Sequence, residues 1–78
     1  MKPLWYYKER LSSTDIDLLV YLAQFEQHGQ SEGRTLLPRE EVSAIRLEEL
    51  GLAESNPTAR AVYRATWLGV QVAAELQK

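Results

Sequence analysis

The chain has 78 residues, one histidine and no cysteine, which makes it a single small domain and excludes disulfides and thiolate metal sites as its staples. Apolar residues make up 45% and charged residues 26%, ordinary values for a folded domain. Nine basic residues against eleven acidic ones leave a net charge of −2, without the basic excess usual in nucleic-acid binders.

The first ten residues, MKPLWYYKER, hold an aromatic cluster of Leu4, Trp5, Tyr6 and Tyr7 behind Pro3. Aromatic density favours a strand or an extended arm here. The apolar patch is too short for a signal peptide, and no apolar run is long enough to span a membrane, so the expected location is cytoplasmic. Trp5, Tyr6 and Tyr7 either cover the domain's own core or form a dimer surface, since a domain this small gains burial by pairing.

SSTDIDLLVYLAQFEQHG predicts the clearest helix. Ser12 or Ser13 caps it, and Asp15 and Asp17 occupy its first turn, where the helix dipole favours acids. Ile16, Leu19, Val20 and Ala23 form one apolar stripe, and Leu18, Tyr21, Leu22 and Phe25 form a second. Two adjacent stripes predict a helix buried centrally, or buried on one side and paired on the other. Gly29 is the expected stop, with His28 as a helix-end residue. QHGQSEGRT, from Gln27 to Thr35, reads as a loop.

A second helix is predicted over LLPREEVSAIRLEEL. Pro38 suits the first helical position and Glu40 and Glu41 the first turn, and Gly51 ends it. Val42, Ile45, Leu47 and Leu50 are its expected apolar contacts. Strands are predicted over Leu52–Ser55 and Ala61–Thr66, with Asn56-Pro57 in the turn between them. Thr66 then caps a last helix, with Leu68, Val72, Ala73 and Leu76 as its apolar stripe and Trp67 in the core or closing the hairpin.

Together, RLEELGLAES and ARAVYRATWLGVQVAAEL resemble the second half of a winged-helix domain of the MarR or PadR kind. The matching positions are Leu47, Glu48, Glu49, Leu50, Gly51 and Leu52, then Tyr63, Arg64, Thr66 and Gly69. The resemblance covers about the C-terminal half. It implies a recognition helix, a two-stranded wing and a closing helix, and DNA binding by a dimeric regulator. The expected fold is α+β, mainly helical, and winged-helix-like over residues 1–78. Two features of the residues point elsewhere. There is room for one helix, not two, between the first helix and the wing, so the element that would cross the phosphate backbone is missing. The remaining helix and its exit carry Glu40, Glu41, Glu48, Glu49 and Glu54 against Arg46 alone, which opposes phosphate binding. The wing carries Arg60 and Arg64 with no acid between Ser55 and Gly69.

The expected function is therefore non-enzymatic: a protein-binding adaptor or inhibitor, of phage or mobile-element type, docking through Glu40, Glu41, Glu48, Glu49, Arg60 and Arg64. The alternative is a dimeric DNA-binding transcriptional regulator with Arg60 and Arg64 on phosphates. A homodimer is expected in either case, joined through the N-terminal segment and the outer faces of the first and last helices, with Trp5, Tyr6 and Tyr7 as the candidate interface where they do not cover the core. No cofactor, metal or small-molecule ligand is inferred, and no nucleophile motif or glycine-rich phosphate loop is present to suggest catalysis.

Overall fold

The computed structural model describes residues 1–26 and 32–78. The elements run α1 (Leu4–Arg10), α2 (Ser13–Ala23), β1 (Arg34–Thr35), α3 (Pro38–Glu49), β2 (Ala53–Ser55), β3 (Val62–Ala65) and α4 (Trp67–Leu76). The three strands form an antiparallel sheet in the order β1-β3-β2. The chain is thus an α+β domain, mainly helical, with a two-stranded hairpin between its last two helices. The helix expected to run to Gly29 ends instead at Ala23, with Gln24 as its C-cap; His28 and Gly29 lie outside the described residues.

The first segment is a helix, not an extended arm. Pro3 sits at its N-cap (φ −58°, ψ 151°), where a missing N–H costs nothing. Lys8 and Arg10 in the last turn complement the dipole. The Arg10 guanidinium lies over the Tyr6 ring, 3.7 Å from its centroid, and Arg10 Nη1 donates to the Tyr6 carbonyl at 3.0 Å. These local contacts hold seven residues helical, and Tyr7 drops into the core, only 2% exposed. Tertiary burial of one aromatic has overridden the strand propensity of the cluster.

At the centre of the fold is α2, which packs on α3, α4 and β3. Ser12 is its N-cap: Asp15 N–H donates to Ser12 Oγ at 3.1 Å, and Ser12 N–H returns a bond to Asp15 Oδ2 at 3.0 Å. This reciprocal pair satisfies two amides that helix geometry leaves unbonded. Leu18, Leu19 and Leu22 are buried, while Tyr21 and Phe25 remain exposed. Only part of the second expected stripe therefore enters the core. The end of the expected loop is also partly ordered as a strand: Arg34 pairs with Tyr63 and Thr35 with Val62.

LEELGL forms a Schellman turn. Leu52 N–H donates to the Leu47 carbonyl at 2.9 Å and Gly51 N–H to Glu48 at 3.0 Å, with Gly51 at φ +76°, a region in which a side chain is strained. Leu47 and Leu52, fully buried, supply the apolar contact that accompanies this motif. Thr66 then joins both ends of the hairpin. Its Oγ1 donates to the Gly51 carbonyl at 2.6 Å and accepts from Gly69 N–H at 3.0 Å. Its own N–H donates to the Leu52 carbonyl at 3.0 Å. Gly69 is required at this crossing, because a Cβ there would lie 1.9 Å from the Leu52 carbonyl oxygen.

Candidate interaction surface

Helix α3 is the element the sequence singles out, and its orientation is set from both sides. On one side Arg46 Nη1 donates to Asp15 Oδ2 of α2 at 2.7 Å. On the other, Glu48 Oε2 accepts from Ser55 N–H at 3.2 Å and Ser55 Oγ at 3.0 Å, tying α3 to β2. Glu41 faces Tyr63 of β3 and hydrogen-bonds its hydroxyl. Burial, then the negative charges of Glu41 and Glu48, push the Tyr63 phenol above its ordinary pKa.

With those ties made, Ser43, Ala44 and Leu47 point into the core. Val42 and Ile45, expected in the core, point to solvent instead, at 61% and 47% exposure. The reason is steric and electrostatic together. Small Ser43 and Ala44 let α3 approach α2 closely, and turning the helix to bury Val42 would pull Arg46 off Asp15.

Asp15 is completely buried. Burial opposes its charge, but the Arg46 guanidinium, the Ser12 amide and the Ser43 hydroxyl outweigh that, and the carboxyl is held below the usual carboxylate range. Arg46 is raised in turn, chiefly by its hydrogen bond to Asp15. An acid expected merely to sit near the helix dipole is in fact the tie between α2 and α3.

The six residues singled out for partner binding fall into two groups. Four make bonds within the fold. Glu40 accepts the Leu37 N–H at 2.8 Å, the return half of a capping box whose other half a leucine cannot supply. Glu41 and Glu48 hold the sheet to α3. Arg64 is opposite Glu54 in the strand register, pairs with it, and donates from Nε to Glu54 Oε1 at 2.6 Å. The hairpin's charge is thus reduced by a carboxylate that lies just before the acid-free run.

Glu49 and Arg60 form the second group: both are exposed. Glu49 borders a shallow groove shared with Lys2, Tyr6, Tyr7, Leu50 and Leu68. Arg60 stands in the hairpin turn and forms no ion pair with any described residue. That turn is held by Asn56, whose Oδ1 accepts from Thr58 N–H at 2.8 Å and Thr58 Oγ1 at 2.9 Å, and it ends in Ala61 at φ +61°.

The three aromatics proposed as a dimer surface are also divided. Tyr7 is core, Tyr6 is half-buried beneath Arg10, and Trp5 is 59% exposed. Trp67, expected in the core or closing the hairpin, is half-exposed at the start of α4.

Sequence reasoning missed Val42 and Ile45 as surface residues, and Arg39 beside them. The signal was present in the spacing: positions 43, 44 and 47 share one helical face, so positions 42 and 45 flank the opposite one. No helix among the described residues is long and apolar enough to cross a membrane. Compared with protein-family models, curated proteins and solved structures, the chain matches none.

Proposed function

We propose that this chain is a non-enzymatic, cytoplasmic protein-docking module on a winged-helix-like frame, and that the outer face of α3 is its docking element. The observation that carries the reading is the pair Val42 and Ile45, displayed on α3 between charged flanks. A helix entering a major groove draws on lysine and arginine for phosphate contact. This one offers an apolar centre, and Arg46 is bound to Asp15. Apolar centres with charged rims are the pattern of protein interfaces.

The order β1-β3-β2 and, among the described residues, one helix between α2 and β2 support the winged-helix frame with its positioning helix removed. Arg60 at the hairpin tip favours the second reading, a dimeric DNA-binding regulator whose wing touches phosphate.

The test is affinity purification from the native host with the wild-type chain and Val42→Glu/Ile45→Glu as parallel baits. A partner held by the wild type and lost by the double variant is expected. Equal retention by both, or sequence-specific duplex binding that persists at physiological salt, would remove the docking reading.

A further inference from the structure

We infer that the α3 face docks onto α3 of a second copy of this chain, the two helices parallel and related by a twofold axis along the seam. The inference rests on α3 being a docking element and names its occupant.

The outward residues of α3 repeat at coiled-coil spacing. Pro38, Val42, Ile45 and Glu49 follow steps of four, three and four residues, the seam positions of a heptad. Arg39 and Arg46, seven apart, line one flank, and Glu41 and Glu48, also seven apart, line the other. Each flank therefore carries one sign of charge.

That arrangement selects both the partner and its polarity. In a parallel pair the twofold axis sets the acidic flank of one helix against the basic flank of the other. Glu41 of one copy then meets Arg46 of the second, five residues on, and the contact occurs twice. An antiparallel pair would set Arg39 beside Arg46 and Glu41 beside Glu48, like against like, which is unfavourable. The groups needed retain capacity. Arg46 uses Nη1 on Asp15 and has further N–H donors, and a carboxylate such as Glu41 accepts more than the one bond from Tyr63.

The seam is short. Twelve residues of α3 with two apolar seam positions fall well below the roughly 800 Å² per partner of stable complexes. Glu49 would also meet its own copy at the C-terminal end. The association is accordingly weak, on the order of 0.1 mM, and Glu49→Leu strengthens it.

The absence of native cysteine makes the register directly testable. Sedimentation velocity from roughly 10 µM to roughly 1 mM should show the wild type moving toward dimer. Ile45→Glu should remain monomeric over that range, and Glu49→Leu should dimerise at about tenfold lower concentration. Added salt should weaken the wild-type dimer. Under mild oxidation Ile45→Cys should cross-link to itself faster than Gln71→Cys at an exposed position of α4. Mixed Val42→Cys and Ile45→Cys chains should give like-with-like products.

A wild type that stays monomeric at the highest concentration overturns the inference. So does a dimer that survives Ile45→Glu, and so does cross-linking predominantly between Val42→Cys and Ile45→Cys, which would mean antiparallel helices. A monomer whose heterologous partner is still lost on Val42→Glu/Ile45→Glu would overturn self-association alone and leave the docking role of α3 standing.

Discussion

Asp15 ties α2 to α3 through one oxygen of a buried carboxylate. Its carboxylate closes the α2 capping box and receives Arg46 from α3 while fully buried. Its folded pKa lies below the unfolded value. The native state therefore binds this proton less tightly than the unfolded state, and the stabilisation is present above the unfolded pKa of about 3.9. It is lost as pH falls through the folded value. Urea unfolding between neutral pH and about pH 3 should show wild-type stability falling steeply below about pH 4. Asp15→Asn should be less stable at neutral pH and should flatten that fall. Equal pH slopes for the two proteins would show that other carboxylates govern acid unfolding. Gly69 is the second critical position. A Cβ added there would meet the Leu52 carbonyl, a backbone atom fixed by its bond from Thr66. Gly69→Ala should therefore cost about 3 kcal/mol or more in denaturant melts, although alanine is the better helix former.

At the scale of elements, what could be read from the sequence depended on whether local signals and burial agreed. For α2 and α4 they agreed: Ser12 and Thr66 cap as their positions suggest. The hairpin was legible through Gly51 and Asn56, each of which demands a turn for its own reason. For α1 the aromatic cluster suggested a strand, and the helix follows from Tyr7 entering the core and Arg10 folding back on Tyr6. In α3 the larger apolar residues suggested the wrong face. Which side turned inward was decided by Asp15 and Ser55, partners 31 and seven residues away from the side chains they hold, and no local window contains the first of these. The consequence can be measured. Val42→Thr and Ile45→Thr should each change stability by no more than about 0.5 kcal/mol, whereas Leu47→Ala should cost about 3 kcal/mol. A large loss at Val42 would mean that α3 is turned the other way. In the hairpin, Ala61 holds a left-handed conformation that L-residues disfavour. Ala61→Gly should leave stability unchanged or raise it by up to about 1 kcal/mol, since relief of strain is partly offset by glycine's entropy.

For the whole molecule, the arrangement of charge separates the two functional readings. The net charge of −2 is small, and the fold removes much of the basic potential that the wing and α3 would otherwise carry. Arg64 is set against Glu54 and Arg46 against Asp15, so Arg60 is the cation on the hairpin that forms no ion pair within the described residues. The slope of log affinity against log salt scales with the number of phosphates contacted, at about 0.9 per contact on duplex DNA. A chain whose hairpin offers one such cation per copy, with Arg39 a second exposed cation on α3, should bind a mixed-sequence duplex only at low salt, with a shallow slope that Arg60→Ala reduces further. Fluorescence anisotropy across a salt series measures this directly. A steep slope with binding that persists at physiological salt would require Arg64 to turn from Glu54 to phosphate, with Arg39 and the spare donors of Arg46 contacting it as well. The Glu54 pair would then have to open, and Glu54→Gln, by removing that carboxylate from beside Arg64, should tighten binding. If the slope is shallow and Glu54→Gln alters nothing, the hairpin arginines are not a phosphate-binding element, and the docking reading, with its contacts on α3, is the one favoured.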